Sequence, residues 1–201
     1  LLESSESTLN QETGLPETKL AWNDETIRLI EQLRASVEPL SQFTEELINE
    51  DLPRVEDDLK QLAELIPERK DQTDSLLELY REEQATVCSL LGIETVDESI
   101  FDLDPVMELG EELDAQFREI SSRLDAYKVA VKQLNDRIDV FLATGPQSEN
   151  RVKIAAQVRS EVILASQDLL ANLGEDVLAL QLIQARARVE SLLLPEVEIN
   201  P

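Results

Sequence analysis

Residues 104–146 read DPVMELGEELDAQFREISSRLDAYKVAVKQLNDRIDVFLATGP, and their apolar spacing decides the fold. Leu113, Phe117, Ile120, Leu124, Tyr127, Val131, Leu134, Ile138 and Phe141 follow one another at alternating steps of four and three. A mean step of about 3.5 residues holds an apolar seam on one side of a slightly underwound helix, which then needs partner helices to cover it. Asp104-Pro105 opens the element and Gly145-Pro146 closes it. At 1.5 Å per residue it is about 60 Å long, more than a compact chain of this size accommodates. The expected class is all-α: an elongated antiparallel helical bundle or coiled-coil rod.

The same stripes recur on both sides of this element. Toward the N-terminus, Ile30, Leu33, Val37, Leu40 and Leu47 mark a helix from the Asn23-Asp24 cap to about Asn49, with Thr44 as its polar seam member. Pro39 predicts a kink or break near Glu38. Leu52, Val55, Leu59, Leu62 and Ile66 begin a second helix, interrupted by Pro67 and resumed by Leu76, Tyr80, Val87 and Leu91. Gly92 supplies its left-handed cap. Toward the C-terminus, Ser148 to about Asn172 and about 176–193 read as two helices broken at Gly174. Ala155, Val158, Val162, Ala165 and Leu169 line the first. Val177, Leu178, Leu180, Leu182, Ile183 and Val189 line the second.

Four regions follow from this reading. Residues 1–15, rich in Ser, Thr and Glu, form a disordered lead-in. Residues 16–92 form an N-terminal helical hairpin and dimerisation candidate, 93–104 a loop packed through Ile93, Val96, Ile100, Phe101 and Leu103, and 105–201 a rod of long helices. A first residue other than Met, together with Leu192-Leu193-Leu194 before Pro195, points to a fragment of a longer rod.

Composition excludes several function classes. Five glycines form no phosphate-cradling pattern, and the absence of histidine removes the usual zinc, di-iron and imidazole-base chemistries. The carboxylate pairs Asp57-Asp58, Glu82-Glu83 and Glu111-Glu112 fall between apolar helix positions and read as solvated faces, with a weak calcium site as the alternative. No catalytic residue, cofactor or metal is expected. The lone Cys88 sits among apolar neighbours as a small buried hydrophobe, in keeping with a reducing intracellular compartment. Trp22 reads as a staple beside the Asn23-Asp24 cap, with a docking anchor as the alternative.

The formal net charge is −25, with 25 acids against 8 bases in residues 1–100 and 18 against 10 in residues 101–201. Such a surface repels phosphate backbones and anionic lipids, so neither nucleic acid nor membrane is an expected partner. Helical faces or basic segments of other proteins are.

One stretch carries a family resemblance. Ala85-Thr86-Val87-Cys88-Ser89-Leu90-Leu91-Gly92-Ile93-Glu94, the acidic loop 95–104, and Met107-Glu108-Leu109-Gly110-Glu111-Glu112-Leu113 resemble the N-terminal half of the antiparallel microtubule crosslinkers. This is the protein regulator of cytokinesis and anaphase spindle elongation factor family. The resemblance covers about a third of the chain, from about Leu76 to Phe141. It implies a head-to-head homodimer, with a rod that sets the spacing and docking of kinesin or central-spindle partners. It also implies residence at the spindle midzone, with tubulin gripped by other parts of the molecule. The dimer face would be Ile30, Leu33, Val37 and Leu40 with Leu52, Val55, Leu59 and Leu62. A coiled-coil subunit of a hetero-oligomeric kinetochore, vesicle-tethering or nuclear-pore complex would use the same stripes against other chains.

Overall fold

The computed structural model describes residues 5–9, 16–20, 24–92, 102–144 and 151–194. It is an all-α helical bundle with one small hairpin. Strand β1 (Ser5–Leu9) pairs antiparallel with β2 (Pro16–Leu20), in register from Ser5 opposite Leu20 to Leu9 opposite Pro16. Strand β1 thus occupies part of the lead-in that lacks any sustained period, and β2 the start of the region read as helical hairpin. Pro16 falls at the first position of its strand, where its missing N–H is tolerated.

Helix α1 (Asp24–Glu46) runs through Pro39 without the break that residue predicts. A π-helical turn, Leu47–Asp51, joins it to α2 (Leu52–Leu91). Pro53 explains the change of pitch: it has no N–H for the carbonyl four residues back, and its ring pushes that carbonyl away. Helix α2 likewise continues through Pro67. It ends at Gly92, whose φ of 65° lets its amide donate to the Cys88 carbonyl at 2.8 Å.

Helix α3 (Asp104–Thr144) realises the quoted stretch, and at its start the Asp104 amide donates to the Asp102 carboxylate at 3.0 Å. Residues 93–101 of the predicted loop lie outside the described residues. Leu103 is buried.

Helix α4 (Arg151–Leu193) corrects the predicted break at Gly174. Gly174 does not have a positive φ, and Leu169, Leu173, Asp176, Leu180, Ile183 and Ala187 keep one buried stripe in step across it. The predicted break rests on Gly174 as a helix terminator; in the structure Asp176 fills the next seam position, 5% exposed, and the helix runs on.

The helices pack into two compact units. The first comprises residues 1–48 and 123–175. Its core holds Ile30, Leu33, Val37, Leu40 and Leu47 from the N-terminal side, Leu124, Val131, Ile138 and Phe141 of α3, and Val158, Val162, Leu169 and Leu173 of α4. Thr44 is tolerated there because its hydroxyl donates to the Leu40 carbonyl at 2.7 Å. Across the surface, Arg34 bonds Asp139 at 2.6 Å and Arg137 bonds Glu161 at 3.3 Å.

The second unit comprises residues 49–122 and 176–201. Leu52, Val55, Leu59, Leu62 and Ile66 of α2 form its core with Leu113, Phe117 and Ile120 of α3 and Leu180, Ile183 and Ala187 of α4. Lys70 meets Asp104 at 3.0 Å while a Cβ on Gly110 would lie 3.4 Å from Ile66 Cδ1, so α2 and α3 run antiparallel here.

Candidate protein-interaction site

Every residue of the stripe read as a dimer face is spent inside the fold of one chain. Ile30, Leu33, Val37 and Leu40 are buried in the first unit, and Leu52, Val55, Leu59 and Leu62 in the second. The rod seam is consumed in the same way: Leu113, Phe117, Ile120, Leu124, Val131, Ile138 and Phe141 are buried, while Tyr127 and Leu134 are half-buried.

An uncovered apolar face lies elsewhere, on the second unit's part of α4. Leu178 (68% exposed), Leu182 (60%), Val189 (50%) and Leu192 (84%) face solvent, with exposed Ala185 between them. Positions 178, 182, 185, 189 and 192 again alternate four and three. This second seam lies opposite the first, because Leu180, Ile183 and Ala187 are buried on the other side of the same helix. The two interleaved seams are visible in the sequence. Leu178, Leu182 and Val189 belong to one face of the helix and Leu180 and Ile183 to the other, and a helical projection separates the two.

The chemistry around this seam is unlike that of the rest of the chain. Residues 177–189, VLALQLIQARARV, contain no acid, and no longer acid-free run occurs among all 201 residues. Arg188 is turned toward the bundle, where its Nε donates to Asp58 Oδ2 at 3.0 Å beside the Gln184 amide at 2.8 Å. Asp58, whose side chain is only 15% exposed, thereby ties α2 to α4. That corrects its reading as part of a solvated pair; Asp57 and the other two pairs are exposed.

A second concave feature lies between α2 and α3 of the same unit. It has a volume of about 360 Å³ and is lined by Leu59, Leu62, Ala63, Ile66, Pro67, Lys70, Met107, Gly110, Glu111 and Asp114. The Lys70 ammonium at its end is held by Asp104, whose hydrogen bond and negative charge raise the Lys70 pKa above its ordinary value. Lys60 is raised in the same way by its hydrogen bond to Glu56. Glu161 is lowered, first by the Gln157 amide at 2.8 Å and then by Arg137.

Among the described residues, no cluster of three or more His, Cys, Asp or Glu could hold a metal ion, and no helix is long and apolar enough to cross a membrane. Cys88 is a free, half-buried thiol. Comparison with known proteins gives no match: no family model, no curated protein and no solved structure matches this chain.

Proposed function

We propose that this chain is a non-enzymatic helical scaffold that pairs with a second copy of itself through the 178–189 part of the α4 seam. The observation that carries the reading is the uncovered heptad on an acid-free stretch. At a net charge of −25 two copies of the chain repel each other, and that repulsion opposes pairing least at a face whose helix carries no carboxylate from 177 to 189. Antiparallel pairing would set Leu178 against Val189 and Leu182 against Ala185 of the second copy. It would also place Arg186 opposite Ala179, with no like charges opposed.

Taken with the resemblance noted above, the scaffold would be the dimerising, partner-docking region of an antiparallel microtubule crosslinker at the spindle midzone. Kinesin or central-spindle components would be its partners, and tubulin contact would fall to other parts of the protein. The acidic surface supports this division, because tubulin is acidic too.

Sedimentation equilibrium at tens of micromolar should show a dimer. Leu182→Glu with Val189→Glu should give a monomer of unchanged helical content, since both side chains are already solvated in the single chain. A monomeric parent chain would overturn self-association and leave the hetero-oligomeric adaptor in its place.

A further inference from the structure

The groove between α2 and α3 of the second unit is built from absence. Gly110 contributes no side chain and Ala63 only a methyl, so the apolar surfaces of Leu59, Leu62 and Ile66 form a floor that larger residues would have covered. The groove opens to solvent: Ala63, Pro67 and Glu111 are exposed, and the side chains of Lys70 and Asp114 are 42% and 44% exposed. At about 360 Å³ it is large enough for one bulky side chain and sits at the lower end of ligand-site volumes.

Three observations define what would fill it. First, no polar group converges on the floor, because the one cation is already engaged by Asp104 at 3.0 Å and by the Met107 sulfur at 3.7 Å. A small polar metabolite would find nothing to orient it. Second, the rim is acidic. Residues 104–120 of α3 carry six acids against one base, and Glu111 and Asp114 stand one turn apart on the groove's edge, Asp114 sharing its charge with Arg118 at 2.7 Å. Third, Pro67 has no N–H, so the Ala63 carbonyl cannot receive its usual helical hydrogen bond from residue 67.

We infer that this groove is the docking site for a basic amphipathic helix of a partner protein, which inserts one large apolar side chain over Leu62 and Ile66. A lysine or arginine neighbour of that side chain meets Glu111, with the Arg118-paired Asp114 as a second carboxylate beside it. This is the helix-in-groove mode, with an apolar anchor for affinity and rim charges for choice of partner. The site shares no residue with the α4 seam, so it stands or falls independently of the proposed dimer.

The test uses a fluorescein-labelled Leu/Lys amphipathic helical peptide, its Leu/Glu counterpart, and fluorescence anisotropy on the full chain. The Leu/Lys peptide should bind and the Leu/Glu peptide should not. Ala63→Trp, which covers the groove from an exposed position, should weaken binding by about tenfold or more. Glu111→Lys should weaken it with no change in helical content. Leu182→Glu with Val189→Glu should leave it intact. Absence of binding to the parent chain would overturn the proposal. So would equal binding to the Ala63→Trp variant, which would mean charge attraction without a seat. A dimer that Ala63→Trp converts to monomer would assign the groove to a second copy, and would overturn the proposal as well.

Discussion

Asp58 shows how much the surroundings of one carboxylate matter in a chain that has so many. Its side chain is 15% exposed and accepts from both Gln184 and Arg188, whereas Asp139, paired with Arg34, is 61% exposed. Both pairs join two helices, but water reaches both partners of the second, whereas in the first it reaches Arg188 and leaves the doubly bonded Asp58 carboxylate sheltered. Asp58→Ala should therefore cost about 1–3 kcal/mol in urea unfolding. Asp139→Ala should cost about 0–1 kcal/mol. Equal losses would show that the α2–α4 link contributes nothing particular. Titration separates two other exposed pairs by sign. The Glu161 carboxyl is held below its ordinary value of 4.5, so its contribution is present above that pH and is lost as pH falls through the folded value. The Lys70 ammonium is held above 10.5, so its contribution is present below that pH and is lost as pH rises through the folded value. Thermal melts should accordingly show a flatter acid limb for Glu161→Gln and a flatter alkaline limb for Lys70→Gln, each against the parent chain.

Among the elements, α4 is the one where sequence pattern and structure part, and Gly174 decides between them. A capping glycine with positive φ would resist alanine, because Cβ is strained there. Gly174 instead lies inside a continuous helix, and a Cβ built on it meets nothing within 4 Å. Gly174→Ala should therefore stabilise by about 0.5–1 kcal/mol in chemical denaturation. A loss of stability would restore the two-helix reading. The α3 seam was legible because nine apolar residues keep one step, which no other secondary structure imitates. Its centre gives the complementary prediction. Leu124 is fully buried and Asp125 exposed, so Leu124→Asp should cost several kcal/mol and lower helicity, while Asp125→Ala should stay within about 0.5 kcal/mol of the parent. What pattern could not tell is which stripes are covered within the chain. Ile30, Leu33, Val37 and Leu40 look like a dimer face in sequence and prove to be core, whereas Leu178 and Leu182 look like core and face solvent. Periodicity reports that a face is apolar; what covers it is a tertiary fact. The groove was hidden for a related reason. Gly110 and Ala63 leave no periodic mark, and only their meeting beside Leu59, Leu62 and Ile66 makes a concavity.

For the whole molecule, the net charge of −25 gives the two proposed contacts opposite responses to salt. Pairing two copies through the acid-free seam brings like-charged surfaces together, so the repulsion outside the seam opposes the apolar burial within it. Raising ionic strength from about 0.01 to 0.1 M shortens the screening length from about 30 to 10 Å. Screening should weaken that repulsion and tighten the dimer. Seating a basic helix on the acidic rim of the groove is an attraction between unlike charges, and the same salt should loosen it. Sedimentation equilibrium and peptide anisotropy across one salt series should thus move in contrary directions. A dimer that loosens with salt would mean that ion pairs hold the copies together, which the sequence of 177–189 does not provide. A peptide that tightens with salt would mean that apolar contact alone binds it and that Glu111 and Asp114 are bystanders. Low salt also gives the clearest trial of the microtubule reading, because any attraction of this chain to tubulin would then be strongest. The chain alone should stay in the supernatant when microtubules are pelleted at low salt. Robust co-sedimentation would overturn the assignment of tubulin binding to another part of the protein, since two acidic surfaces must first overcome their mutual repulsion before any contact forms.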